Sequence, residues 1–569
     1  MKSLKILLVI ALLILPMIVF SQVGPGGVGT TEKDADEGDV IIGLWLKAGD
    51  LSQLLSDGDV VELWPDASGN EGEVVFPAGR TDLSAPVFRT GMIHDNPWVE
   101  FDGNGFLEVA DNDVLDGSPG MGLFAVVKRS STGKTHEILC KRKHWNWFSH
   151  LENLTAEECD HAYDLRFVSE EGKGDYLRAN INANYPNNTE QVAMTDYLYA
   201  DTTNSYIVDY VYNTNWGGVI RANGLTTAKP DAIGQHSFYP NPNENIMEAG
   251  VNNSSAPLYI GAAQLDPPGN KGTGDDDDPT ATESGYFDGK MAEVIVFKGE
   301  MDSTEMIIVE NYLAAEYNIT LEEGNDRYDD TVCIHDLMAI GTEHGNDVHP
   351  VSQAGALTIE ATENSADTAG DYLFVGHDGE EQIWVTEGLS EGLAKQWGRT
   401  YKLEKSGDLS ANLIFNIRDA NLTISDALLL RMIYKETYDA EWDTLSVPVT
   451  ATRYDVTFEL AGDEFVTGYY SIGEIAEVVE SIHETVKRDL FTVMPNPSDG
   501  DIILQFGQPV RSGISVTIHD LSGRLVQTFS PSWENQLKGR LSLGHMERGI
   551  YLISVQIREK TSTQKLILD

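Results

Sequence analysis

From Val40 to Ile319 the chain is built of short apolar or alternating runs: "LFAVVKR" (123–129), "YIVDYVYN" (206–213), "GVIRANG" (218–224), "PLYIGAAQL" (257–265) and "MAEVIVFKG" (291–299). The runs are separated by glycine, asparagine, aspartate and proline. Runs this short cannot be helices of ordinary length, and their punctuation is that of turns, so the fold class is all-β, a sandwich or barrel. One segment breaks the pattern. "DSTEMIIVENYLAAEY" (302–317) opens with Asp302 and carries Glu305 three residues on, a capping box. Met306, Val309, Leu313 and Tyr317 then recur at steps of three and four, which predicts an amphipathic helix closing the domain near Ile319.

Residues 331–474 return to strand texture ("ALTIEATE", "DYLFVGHD", "LIFNIRD", "RYDVTFEL", "GYYSIGE") and form a second all-β unit. Residues 475–489 are charged, without a long apolar face, and read as a linker or short helix. The last unit, 490–569, has about six strands. "HDLSGR" (519–524) is a turn within it, and a hairpin closes around "REKTST" (558–563).

The N-terminus is a separate matter. Lys2 and Lys5 precede an apolar run from Ile6 to Phe20, and Ser21 precedes Gln22. This is the layout of a secretory signal peptide, 1–21, cleaved between Ser21 and Gln22. The run is short for a membrane span and no second one follows, so the mature chain has no transmembrane segment. Residues 22–39, Gly-rich and acidic, read as a flexible linker. The formal charge of −51 over 569 residues argues against nucleic acid or anionic membrane as partners. Three cysteines are too few for a disulfide scaffold. Cys140 and Cys159 could pair in an oxidising compartment, leaving Cys333 over.

Candidate chemistry is sparse. "KRKHWNWFSHLE" (141–152) places His144, Trp145 and Trp147 in a concentrated basic stretch. The two tryptophans are spaced to share one face of a strand, and aromatic faces beside polar groups suit stacking on sugar rings, an anionic glycan included. The plainer reading is aromatics packed beneath a long loop. Trp216 in "NTNWGG" is a second candidate contact, or a hairpin tip. "GTGDDDDPT" (272–280) offers Asp275, Asp276 and Asp278 to a calcium ion, the one cofactor in view; a solvated acidic loop is the alternative. "GLSEG" (388–392) matches a nucleophile elbow in letters only, since strands rather than a strand and a helix flank it. His335, His344 and His349 fit no standard metal spacing and read as exposed loop histidines. No run of paired carboxylates of the kind used in glycoside hydrolysis occurs in 40–320.

Two resemblances add to this. "MPNPSDG" (494–500), "VTIHDLSGRLVQTF" (516–529), "ERGIYLISVQI" (547–557) and a closing "KLIL" resemble the type A C-terminal sorting domain of the type IX secretion system of Bacteroidota. On this resemblance Pro495, Asn496, Pro497, Gly500, Gly523, Gly549, Tyr551, Lys565 and Leu566 carry the sorting signal. The implied domain is a small Ig-like β-sandwich read by the secretion machinery at the outer membrane, and the implied destination is the cell surface or the medium. A compact tag ending on a strand also offers an edge for strand addition. "IIGLWLKAGD" (41–50), "ELWPDASGN" (62–70), "PWVEFDGNGFLEV" (97–109) and "GYFDGKMAEVIVFKGEMDSTEMIIVENYLAAEYNITL" (285–321) resemble a LamG or concanavalin A-like jelly roll over 40–320. That fold hosts both lectins and hydrolases. The expectation is a non-catalytic binding or adhesion protein with an extracellular polysaccharide or glycan as ligand. A glycoside hydrolase or polysaccharide-processing accessory protein, and a purely structural surface or matrix component, are the alternatives.

Overall fold

The computed structural model describes residues 23–475 and 490–569, apart from 37, 71, 94–95, 118, 143–160, 184–188, 196–200, 216, 226–250, 265–282, 323, 344–346, 363–367, 424–428, 463–464, 511–512, 522 and 559. The chain forms two compact units that divide at Glu477/Val478. It is almost entirely antiparallel β-structure, as the sequence predicts.

Within 40–320 two sheets pack face to face. A seven-stranded sheet holds Ile41–Lys47, Val87–Ile93, Asn96–Asp102, Met121–Arg129, Tyr206–Asn213, Gly217–Ala222 and Asp288–Lys298. An eight-stranded sheet runs in spatial order Thr189–Met194, Gly174–Ala183, His161–Glu170, His136–Arg142, Leu258–Ile260, Leu107–Val109, Val74–Val75, Leu63–Trp64. Strand alternation explains the core. Leu123, Ala125 and Val127 point between the sheets and meet Leu139, Leu165 and Phe167, while Phe124 and Val126 point the other way. The seven-stranded sheet is thus buried on both faces, which is why its strands read as continuous apolar runs.

Its outer cover is the predicted helix, α1 (Ser303–Tyr317), with the capping box formed: Glu305 N–H donates to Asp302 Oδ1 (2.9 Å) and Asp302 N–H to Glu305 Oε2 (3.1 Å). The helix is not amphipathic in its setting. All its residues but Ser303, Ala315 and Glu316 are buried, because a second β-lobe covers the side that the first sheet leaves. That lobe has a nine-stranded and a five-stranded sheet around Leu357, Trp397, Leu403, Phe415 and Phe458. From it Leu337, Ala339, Tyr372 and Phe374 join α1, Phe124 and Ile295 in one shared core. The boundary near Ile319 therefore separates two β-lobes that form one compact unit.

The linker expected over 22–39 is in part the reverse of flexible. Gly24–Thr30 are buried. Ala339 N–H donates to the Gly26 carbonyl (3.0 Å), and Ile42 N–H to that of Thr30 (2.9 Å). The glycines permit this close approach: a Cβ on Gly26 would lie 2.8 Å from Ile308, and one on Gly27 would lie 2.2 Å from Ser352 Oγ. His349, expected in an exposed loop, is buried against this strap, with Nε2 3.3 Å from the Gly27 carbonyl.

In the C-terminal unit a three-stranded sheet (Phe491–Met494, Asp501–Phe506, Lys538–Ser542) faces a four-stranded one (Leu525–Phe529, Ile514–Asp520, Gly549–Ile557, Lys560–Leu568). Ile502, Leu504, Val516, Ile553, Val555 and Leu566 fill the space between. The "HDLSGR" turn forms as expected. The last hairpin is tighter than read: Ile557 pairs with Lys560, so "KTST" belongs to the final strand.

Candidate functional site

Of the two large facing sheets in this lobe, the eight-stranded one has an outer face that, among the described residues, α1 does not cover. That face is polar. Cross-strand register sets Glu108, Tyr259, Cys140, Asp164 and Asn180 opposite one another across five neighbouring strands, and residues paired in this way share a face. Asn180 Nδ2 donates to Asp164 Oδ1 (3.2 Å) and Oδ2 (3.1 Å). Beside the row lies a buried ionic quartet. Arg166 Nη1 sits 2.9 Å from Glu137 Oε1, and Arg166 Nε sits 3.6 Å from Asp164 Oδ1. Arg142 reaches the same two carboxylates at 3.7 and 3.5 Å.

Glu137 and Asp164 are a convergent carboxylate pair with no signature in the sequence, since they lie on separate strands. Their chemistry is not that of an acid–base pair open to substrate. Both are almost fully buried and both are neutralised by guanidinium groups, and burial pushes the Glu137 carboxyl above its ordinary value. Retaining or inverting hydrolysis needs carboxylates that reach a substrate, and inversion needs a water as well.

At the other end of the row is an open cavity of about 560 Å³. Glu73, Glu108, Asp111 and Asn112 supply its polar lining; Val75, Val109 and Pro257 supply its apolar wall. Lys141 fixes the rim: its ammonium donates to Asp111 Oδ1 (2.5 Å) and to the carbonyls of Ser254 (2.5 Å) and Ala256 (3.0 Å). Glu108 has its carboxyl raised by burial first and by Glu283 second, against the opposing pull of Arg80. Arg80 in turn holds Glu283 through two contacts of 2.9 and 3.0 Å. Next to Glu108, Tyr259 packs on Phe106 with ring centres 4.3 Å apart.

The basic stretch beginning at Lys141 thus changes meaning. Lys141 and Arg142 are not surface charges; they lie in a central strand, are buried, and are used up in the ion pairs above. His144, Trp145, Trp147 and Trp216 lie outside the described residues, as do Asp275, Asp276, Asp278, Cys159, Ser21 and Gln22. Cys140 is a buried free thiol whose pKa burial raises. Among the described residues no three metal-ligating side chains cluster, and no helix is long and apolar enough to cross a membrane. "GLSEG" is a loop between the strands Trp384–Val385 and Leu393–Trp397.

In the C-terminal unit the resemblance residues fall into two groups. Pro495, Asn496, Pro497 and Lys565 are exposed, whereas Gly500 and Leu566 are buried. Gly500 sits at φ +116°, and a Cβ there would lie 2.7 Å from Gly544 Cα. Gly523 (φ +84°) makes the "HDLSGR" turn. Gly549 begins the strand in which Tyr551 lies opposite Leu566, and the Tyr551 hydroxyl donates to the Glu547 carbonyl (2.8 Å). Residues 490–569 carry eight basic and seven acidic side chains, so nearly all of the negative charge belongs to the rest of the chain.

Comparison with known proteins bears on the two units differently. No curated protein matches the sequence. Among solved structures, three neighbours are remote. Domain 4 of AbnA, a GH43 extracellular arabinanase from Geobacillus stearothermophilus in complex with arabinotriose, is 11% identical with a TM-score of 0.27, covering 48% of this chain and 98% of its own. The binding domain of botulinum neurotoxin DC in complex with SialylT is 12% identical with a TM-score of 0.27, covering 76% and 96%. The binding domain of Paraclostridial Mosquitocidal Protein 1 is 10% identical with a TM-score of 0.28, covering 74% and 96%. Scores this low carry no argument about ligand. Residues 492–569, however, match the family described as "Secretion system C-terminal sorting domain", so the chain ends in the sorting domain of a secreted or cell-surface protein.

Proposed function

We propose that this is a non-catalytic binding protein exported by the type IX system to the bacterial surface, and that it holds a neutral, hydroxyl-rich glycan in the open cavity at one end of its eight-stranded sheet. The observation that carries the reading is the contrast between the two sheets: one outer face is apolar and covered by α1, while the other carries buried polar side chains and ends in an open cavity. The cavity is rich in acceptors. Carboxylates of Glu73, Glu108 and Asp111 accept hydrogen bonds from sugar hydroxyls, the Asn112 amide both donates and accepts, and Val75 and Pro257 suit the C–H face of a ring. Three carboxylates in one cavity disfavour an anionic glycan. The LamG-like motif residues support the scaffold: Trp45 Nε1, Tyr312 and Tyr317 all donate to Glu293 of "GKMAEVIVF" and tie sheet to helix.

The test is a glycan-binding screen with the mature chain. Neutral polysaccharides are expected to bind, and Glu108→Ala or Asn112→Ala to weaken that binding about tenfold each, the loss of one or two hydrogen bonds to a partner. Binding restricted to sulfated or uronic acid glycans, or untouched by both substitutions, would contradict the assignment.

A further inference from the structure

The two halves of the sorting resemblance, 69 residues apart in sequence, meet in the fold. Lys560–Leu568 is an edge strand of its sheet. Its outer side is nevertheless paired over its last residues. Asn496 Nδ2 donates to the Lys565 carbonyl (2.7 Å), and Asn496 Oδ1 accepts from Ile567 N–H (2.9 Å). Ser498 N–H then donates to the Ile567 carbonyl (2.9 Å), and Asp569 N–H to that of Ser498 (2.9 Å). Asn496 spends its side-chain amide as a strand spends its backbone. Ser498 is locked in turn: its hydroxyl donates to the Asp501 carbonyl (2.9 Å).

We propose that this clasp is what the export machinery requires. The signal is a closed, folded corner in which exposed Pro495, Asn496 and Pro497 lie against the exposed Lys565, and Asn496 is its positioning residue. Strand addition at Lys565–Asp569 is then excluded, because the tag's own first segment already occupies that edge. The physical case has two parts. Exposed hydrogen bonds to backbone contribute little to stability, so two of them on one solvent-facing asparagine fix shape rather than hold the core, which Leu566 and Leu568 do. A bare final edge would also pair with other chains during transit, and the clasp prevents it. The inference rests on the type IX reading.

The experiment follows the full-length chain in a host with the type IX machinery, scoring the fraction accessible to protease on intact cells. Asn496→Ala removes both of the asparagine's bonds, Ile567→Pro removes the one from the Ile567 N–H, and proline is tolerated where an edge N–H points outward. Each is expected to lower the displayed fraction about five- to tenfold. The double variant is expected to do no worse than Asn496→Ala alone, since that substitution already deletes the contact that Ile567→Pro removes. The retained periplasmic chains should resist trypsin as the wild type does. Normal display of Asn496→Ala, or losses that multiply in the double variant, would overturn the clasp. Wild-type display in a strain lacking the machinery would overturn the export reading and the clasp with it.

Discussion

A chain ending at residue 320 is expected not to yield a folded jelly roll. Its sheets would be complete, but α1 would lose Leu337, Ala339, Tyr372 and Phe374, and the strap Gly24–Gly27 would lose its partners at Ala339 and Ser352. Polar ties would go too: Thr304 Oγ1 donates to the Asp347 carbonyl (2.7 Å), and Arg327 N–H to Asn311 Oδ1 (2.7 Å). Exposing the large side chains on both sides of this join costs on the order of 10 kcal/mol, as much as a typical domain has in total. Purified 23–320 should aggregate or melt without a cooperative transition, while 23–475 should unfold as one unit. A monomeric 23–320 with a sharp transition would show that the second lobe is dispensable.

The second large effect is at Arg221. It lies buried between Asp209 on the seven-stranded sheet and Glu310 on α1, with Nη2 2.8 Å from Glu310 Oε2, and both acids are fully buried. One guanidinium cannot neutralise two carboxylates out of water, so the pair retains a proton. Burial raises Asp209 to about 6 and Glu310 well above its ordinary value; Arg221 opposes both shifts. Glu293, two strands away in the same sheet, is raised to about 7, mainly by burial. In the folded state these acids favour the neutral form. Their contribution is fully present below about pH 4, the unfolded value, and is lost as pH rises through 6 to 7. Arg221→Leu should therefore destabilise the 23–475 unit by about 3–5 kcal/mol at pH 8, with a smaller loss at pH 5 where both acids can be neutral. Chemical unfolding at the two pH values reads this directly. An equal loss at both would mean that Arg221 acts through packing alone.

Much of the architecture was legible because strand runs, turns and the Asp302–Glu305 cap are local patterns. What was not legible depends on partners distant in sequence. The face Met306, Val309, Leu313, Tyr317 identified a helix, yet Ile307, Ile308, Glu310 and Asn311 are buried as well, under a lobe that periodicity could not place. Glycines at 24–29 signalled looseness, whereas their missing side chains let the strap pass within van der Waals reach of α1. Lys141 and Arg142 looked like a basic patch because nothing in their neighbourhood shows that Asp111, Asp116, Glu137 and Asp164 fold onto them. The cavity joins Glu73 and Pro257 to the stretch Glu108–Asn112, three segments distant in sequence, so no spacing announced it. The sorting tag was the clearest signal, yet the hydrogen bonds between its two ends appear only in the fold.

The proposed function makes the C-terminal sorting domain the chain's export signal. Its most direct test compares the full-length chain with one ending at residue 489, by surface protease accessibility on intact cells. The full-length chain should be displayed or released and the shortened one retained in the periplasm. Equal display of both would contradict the account.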